Sequence, residues 1–312
     1  MFNFTHNNHL KYYIGGREFG FRENNFEKYK VTVGTIDHDH YKNSNYKQEL
    51  LRIVDLIVRD FGKDIVVFLS GGTDSEIVLR AFLKYGVRPR CCTIKFKNDY
   101  NIDDIEEAIS ICDELDIDLE ILDFDVKDFY YSGEAEEFAK KIQCTQVTYL
   151  MVYYHIMKVS MPAVMGGELL LSRQIERNNN FWYYTFRENE DASAMRFSNT
   201  FKIPLVNEFF SYTPEIMLYF LESKYGVSEM LNDRYKLSSV SSKNKILSRL
   251  YPDIRRKTKT HGFERLLAFN YESYRSIISD SYRRLEPSLD GIPLVDTIKY
   301  LRGEYDQTIR SN

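Results

Sequence analysis

Six consecutive residues, Ser70-Gly71-Gly72-Thr73-Asp74-Ser75, have the composition of an anion-binding turn. Two adjacent glycines let the backbone turn tightly and aim several N–H groups at one point. Such a nest at a helix start attracts an anion through aligned dipoles and unpaired donors. Ser70, Thr73 and Ser75 add hydroxyl donors. No lysine follows, which separates the stretch from a Walker A loop, where G-x-x-x-x-G-K-[ST] is needed. Asp74 would repel a bare phosphate, so its place here makes sense with a divalent cation between carboxylate and phosphates. A Gly-Gly pair alone reads as an ordinary strand-to-helix turn. The complete hexapeptide, directly after an apolar strand, reads as a phosphate loop.

The elements that must hold this turn follow an α/β rhythm. Residues 64–69 (DIVVFL) form a short apolar run, the pattern of a buried parallel strand. A helix is expected over 75–85, closed by Gly86. A strand follows at 90–96, a helix at 102–115 and a strand at 119–124. Residues 126–141 and 145–159 read as helices, and 162–165 as a fourth strand that runs into Gly166-Gly167-Glu168. Alternating strands and helices imply a parallel sheet wound by right-handed crossovers. Before this unit, residues 10–35 read as short strands and 45–61 as a helix with apolar positions at 50, 53, 54, 57 and 58. Residues 172–203 break the rhythm. They are polar and aromatic, with Asn178-Asn179-Asn180 and Phe181-Trp182-Tyr183-Tyr184, the signature of an inserted hairpin or mobile loop. From Pro214 onward the pattern is helical. The expected organisation is an N-terminal segment of strands and helix (1–60), an α/β domain that carries the glycine turn (61–205) and a helical C-terminal region (206–312).

Composition bounds the function. The 312 residues are 43% hydrophobic and 28% charged, with a net charge of -4, too near neutral for a nucleic-acid surface over the whole molecule. The 24 Tyr and 21 Phe are read chiefly as packing residues. Cys91, Cys92, Cys112 and Cys144 form no C-x-x-C pair and have no histidine at metal spacing, which argues against zinc and against a disulfide framework. Cys144 could be a thiol nucleophile, and a packed cysteine is the plainer reading. No stretch approaches 18 apolar residues, and the start lacks the form of a secretory signal, so a reduced, cytoplasmic setting is expected.

Ser70-Gly71-Gly72-Thr73-Asp74-Ser75 matches the S-G-G-x-D-S signature of the PP-loop ATP-pyrophosphatases, and the chain resembles that superfamily. Its members include asparagine synthetase, argininosuccinate synthetase, GMP synthetase, NAD synthetase, 7-cyano-7-deazaguanine synthase and tRNA-modifying enzymes. The resemblance implies a doubly wound, Rossmann-like α/β sheet of the PP-loop (HUP) type. It also implies ATP and Mg2+ as cofactors, cleavage between the α and β phosphates, and transfer of AMP to a substrate oxygen. Ser70 to Ser75 would hold the pyrophosphate end, with Asp74 as the metal ligand. Residues 93–95, ending in Lys95, would lie near the adenine.

Three further stretches resemble the synthetase domain of asparagine synthetase. Asp103-Asp104 open a helix at the position of the family's acidic helix, although acidic helix starts are common for dipole reasons alone. Val164-Met165-Gly166-Gly167-Glu168 resembles a strand followed by S-G-E-G-x-D-E, which places Glu168 on the glutamate at the reacting centre. A carboxylate there is placed for acid/base work or for a cation. Leu169, Leu170 and Leu171 then depart from the pattern and replace an aspartate expected to help bind metal. The stretch KNKILSRLYPDIRRKTKTHGFE, residues 243–264, resembles the family's late helix and loop, with Arg255 and Lys257 on the residues that reach the triphosphate. The window 241–265 holds eight Lys and Arg against Asp253 and Glu264. It would complement pyrophosphate charge as it develops, or form a solvated basic face, or touch nucleic acid. Position 2 is Phe2, and no cysteine occurs in the first 60 residues, so a chain without the glutaminase half is expected. The small-molecule acceptor is not legible. An asparagine synthetase-like ligase that uses ammonia or an amine is the leading reading. A PP-loop enzyme acting on tRNA, DNA or a nucleobase, and a non-catalytic nucleotide-binding remnant, remain open. The segment 172–200, with Arg173, Arg177 and Arg187, is either a lid over an acidic substrate or a solvated loop.

Overall fold

The structure, a computed structural model, describes residues 10–18, 20–23, 26–144, 146–167, 175–178, 181–188, 192–222, 251, 254, 274, 289–293 and 302–304. A hairpin of β1 (Leu10–Ile14) and β2 (Arg17–Glu18) is joined by β3 (Tyr29–Val33) into an antiparallel sheet. Leu10, Tyr12, Ile14, Tyr29, Val31 and Val33 alternate inward, the period-two burial of a one-sided sheet. Two helices follow, α1 (His38–Asn43) and α2 (Tyr46–Phe61). Asn45 starts the second by accepting from the Gln48 N–H at 3.1 Å. Its apolar stripe, Leu50, Ile53, Val54 and Ile57, is buried at the expected spacing.

The central unit comprises β4 (Val66–Phe68), α3 (Thr73–Tyr85), β5 (Arg90–Phe96), α4 (Ile102–Leu115), β6 (Leu119–Phe124), α5 (Val126–Tyr131), α6 (Glu134–Ile142), α7 (Val147–Val159) and β7 (Ala163–Val164). The alternation read from the sequence is therefore present, with one correction. The helix expected over 126–141 is two helices, because the chain takes a left-handed conformation at Gly133.

The sheet continues after an antiparallel pair, β8 (Ile175–Asn178) and β9 (Phe181–Arg187), and a helix, α8 (Ser193–Phe201). Strand β10 (Leu205–Val206) then pairs parallel with β7. Helix α9 (Pro214–Leu221) follows, with Thr213 capping its first turn and proline at its start. The hairpin expected within 172–203 is thus present as β8 and β9, and α8 fills part of the same span. The late region, read as wholly helical, contains a strand: β11 (Leu289–Pro293) pairs antiparallel with β9.

The central sheet is parallel, in the order β10-β7-β4-β5-β6. Numbered by succession, that is 5-4-1-2-3, a doubly wound order whose direction reverses between β4 and β7. Its two faces have separate cores. Val67, Leu69 and Cys91 look toward α2, α3, α4 and α9. Val66, Phe68 and Cys92 look toward α5, α6, α7 and α8. Adjacent residues facing opposite layers is the pleat expected of a strand covered on both sides.

Candidate functional site

The phosphate-loop hexapeptide lies where β4 ends and α3 begins, at the switch point. The backbone N–H of Leu69 donates to the Cys92 carbonyl at 2.8 Å, and pairing with β5 stops there. The chain then turns at Gly71, with φ of 67°. A side chain at Gly71 would press into the carbonyl oxygen of Asp104, inside the 3.0 Å limit for a Cβ contact, and would meet Glu107 Cβ at 3.2 Å. The start of α4 therefore supports the loop from behind. The acidic helix opening singled out in the sequence thus has a packing role here.

Ser75 sits in the first turn of α3 and is buried. Its hydroxyl donates to the Gly72 carbonyl at 2.9 Å and accepts from the Ser70 N–H at 3.3 Å. It braces the loop from inside. Ser70 is exposed, and Gly72, Thr73 and Asp74 are half-buried. Gly72 precedes the helix with no side-chain cap. An uncapped helix start, whose first backbone N–H groups have no partner within the helix, is the arrangement that receives a phosphate.

Two neighbouring strands bring further groups to this edge. Beyond β7, Gly166 closes on the loop: a Cβ there would lie 2.9 Å from the Asp74 carbonyl carbon and from the Ser75 nitrogen. Gly167 in turn abuts Glu208, whose carboxylate a Cβ at 167 would overlap. Asn207 and Glu208 directly follow β10 and are both buried, with the Tyr149 hydroxyl 3.5 Å from Glu208 Oε1. Sequence reading missed Glu208. A two-residue strand followed by Asn-Glu has no periodicity to mark it, and only the pairing of β10 with β7 brings it beside Gly167.

On the other side, Lys95 lies at the carboxyl end of β5, opposite Asp123 of β6. It pairs with Asp99 at 3.0 Å, and its hydrogen bond to that carboxylate raises its pKa. Lys95 is therefore held at the strand end, one strand away from the loop. Glu168, Leu169, Leu170, Leu171, Arg173, Arg255 and Lys257 lie outside the described residues. For Arg177 and Arg187 only the strand backbone is described.

Part of the late basic stretch is nevertheless fixed. Ile254 is buried in the core shared by α2 and α3, and its N–H donates to the Tyr251 carbonyl at 3.2 Å. Tyr251 meets Tyr46, the first residue of α2, edge to face with ring centroids 5.8 Å apart. Both hydroxyl oxygens are buried. Burial raises the pKa of both phenols, each phenol also influences the other, and the Asp74 carboxylate raises both further. Tyr251 and Ile254 thus pack against the start of α2 and into the core that α2 and α3 share.

The donor set at this edge is of hard oxygens. Among the described residues no group of three His, Cys, Asp or Glu could hold a metal ion. Asp74 brings one carboxylate to this edge, and Mg2+ takes one or two carboxylates and completes its shell with phosphate oxygens and water.

No protein-family model matches the chain, and no curated protein sequence matches it. Solved structures are similar in outline. NMN synthetase from Francisella tularensis is 14% identical, with a TM-score of 0.35 over 85% of this chain and 94% of that one. A predicted subunit of tRNA methyltransferase from Methanocaldococcus jannaschii is 14% identical, with a TM-score of 0.34 over 71% and 89%. NH3-dependent NAD synthetase from Campylobacter jejuni is 14% identical, with a TM-score of 0.32 over 71% and 99%.

Proposed function

We propose that this chain binds ATP at the turn 70–75 and cleaves it between the α and β phosphates, transferring AMP to a small carboxylate or amide oxygen. Ammonia or an amine then displaces AMP, as in an asparagine synthetase-like ligase. The observation that carries the reading is the S-G-G-T-D-S turn at the switch point of a doubly wound sheet, with Ser70 exposed at its start. Ligands of such sheets bind in the crevice outside the carboxyl ends of the strands.

In this reading the N–H groups of Gly71 to Asp74 and the Ser70 hydroxyl receive the pyrophosphate end. Ser75 keeps the loop in shape. Asp74 would hold Mg2+, which when bound withdraws charge from the phosphate oxygens. Lys95 and the neighbouring end of β5 border the adenine. Arg255, which directly follows Ile254 in sequence, and Lys257 neutralise the departing pyrophosphate. Glu168, next to Gly167, is the candidate base for the incoming amine.

The test is product analysis with ATP, Mg2+ and a trial acceptor, beginning with aspartate and ammonium chloride. AMP and pyrophosphate are the expected products. ADP as product, or unchanged ATP affinity in Asp74→Ala, would refute the reading. ATP binding without turnover across a broad set of acceptors would point instead to a nucleotide-binding remnant.

A further inference from the structure

The phosphate loop is held between two backbones that differ in what stiffens them. On one side Gly71 meets the first turn of α4, a regular helix. On the other, Asp74 and Ser75 meet Gly166, where a Cβ would lie 2.9 Å from the Asp74 carbonyl carbon and 3.2 Å from Asp74 Cβ. Gly166 and Gly167 follow β7, a strand of two residues, and adjacent glycines leave the backbone its widest freedom. Whatever closes on Gly167 therefore decides where Gly166 stands. Glu208 fills that place. Its Cδ is 2.7 Å from the position of a Cβ on Gly167, and the Asn207 carbonyl oxygen is 2.8 Å from the same point. Glu208 is itself fixed on several sides. Its carbonyl accepts from the Ser211 N–H and from the Ser211 hydroxyl, both at 3.2 Å. Phe209 and Phe210, next in the chain, are fully buried, and the Tyr149 hydroxyl of α7 lies 3.5 Å from Glu208 Oε1.

We propose that Glu208 is a positioning residue for nucleotide binding: its side chain backs Gly167, so that Gly166 holds Asp74 in place beside the N–H groups of the phosphate loop. This rests on the ATP reading above and adds to it a residue that follows β10, the edge strand of the sheet. Contact runs unbroken from Glu208 through Gly167 and Gly166 to Asp74. Close-packed interiors transmit a displacement rather than absorb it. Asp74 is the group that would move, and in the ATP reading it is the one that holds Mg2+. The side chain of Glu208 acts by its reach and shape, which glutamine shares.

The test uses the full chain and two readouts. Titration with ATP and Mg2+ measures affinity, and urea unfolding shows that each variant is folded where it is titrated. Glu208→Ala is expected to weaken ATP binding roughly tenfold or more, the scale on which a small misplacement of a site is felt. Glu208→Gln conserves volume and is expected to stay within about threefold of the native chain. Gly167→Ala should also weaken binding, because its methyl group meets the Glu208 carboxylate. The two alanine changes together are the sharper test. Truncation at 208 vacates space that the methyl at 167 needs. The loss in the double variant should therefore be about threefold or more below the product of the two single losses, whereas independent sites would give the product. Should Glu208→Ala not fold, Glu208→Asp, shorter by one methylene, takes its place in both comparisons. Binding by the truncated variant within about twofold of the native chain would overturn the proposal, and so would single losses that simply multiply. A Glu208→Gln as weak as Glu208→Ala would also overturn it, by assigning the effect to charge. These results leave the ATP reading standing. A native chain that binds no ATP refutes that reading, and the proposal with it.

Discussion

Replacing Gly71 by alanine makes two separate demands on the phosphate loop, and the structure supplies a control for each. The first demand is conformational. Gly71 has φ of 67°, and an L-residue in the left-handed region costs about 1–2 kcal/mol. The second is steric. The new methyl would press on the Asp104 carbonyl, a backbone atom in the first turn of α4 that can move only if the helix moves. Overpacking of this kind costs about 1–3 kcal/mol. The sum is roughly 2–5 kcal/mol, or about 4–10 °C in melting temperature at ~2 °C per kcal/mol for a chain of this size. Gly86→Ala isolates the first demand, because Gly86 has φ of 92° and nothing within 4 Å of its would-be Cβ. Gly166→Ala isolates the second, because its φ is ordinary while its would-be Cβ meets Asp74 and Ser75 at 2.9 Å. The assay is urea unfolding of all three variants beside ATP titration. Gly86→Ala should lose only the conformational part and bind ATP normally. Gly71→Ala should lose stability and affinity together, and Gly166→Ala should lose affinity out of proportion to stability. If Gly71→Ala matches Gly86→Ala to within about 0.5 kcal/mol, α4 does not support the loop as described.

Three other outcomes follow from particular contacts. Asp74→Asn removes a carboxylate that, after burial, helps raise the pKa of Tyr46 and Tyr251, so the phenols that ionise at the highest pH should ionise at lower pH, read by absorbance near the phenolate band. No shift would place Asp74 away from the pair. Glu188 is buried between Arg22 and Arg196, with Arg196 Nη2 at 3.0 Å and Arg22 Nε at 3.1 Å from the same oxygen. Glu188→Ala strands two buried guanidinium groups and should cost about 3–5 kcal/mol in denaturant unfolding, whereas an exposed pair such as Arg59–Asp60 should cost under about 1 kcal/mol. His155 is buried beside Phe124, with its Nδ1 2.8 Å from the Met151 carbonyl, and burial lowers its pKa below the usual 6.5. The unfolded chain then binds a proton that the folded chain refuses, so stability should fall as pH drops below about 6.5 and level off once the folded-state pKa is passed. His155→Asn should flatten that part of the pH–stability curve, and an unchanged slope would assign it to other groups.

Local features of the site were legible because they depend on neighbours in the chain. The hexapeptide 70–75 announces a tight turn through Gly71-Gly72 and a helix start through Thr73-Asp74-Ser75, and the apolar run before it announces the strand. The structure places the turn between β4 and α3 as that reading requires. Ser75 is a partial exception. Its hydroxyl reads as a phosphate donor in sequence, but in the fold it is engaged with Gly72 and Ser70. The break at Gly133 was signalled by Ser132-Gly133 but overlaid by a continuing apolar stripe. Strand β11 was missed because its only described partner, β9, lies far away in sequence, and five residues ending in Gly-Ile-Pro carry no strand period of their own.

The amino-acid sequence by itself determined the turn that could hold a phosphate, the alternation of strands and helices around it, and the basic composition of residues 241–265. Each of these follows from dihedral preference, apolar periodicity or charge within a few residues. Tertiary structure alone decided the strand order 5-4-1-2-3, the approach of Gly166 to Asp74, the arrival of Glu208 beside Gly167, and the meeting of Tyr46 with Tyr251. Those contacts join residues that share no local pattern. They exist because a parallel sheet covered on both faces must bring the carboxyl ends of separate strands to one edge.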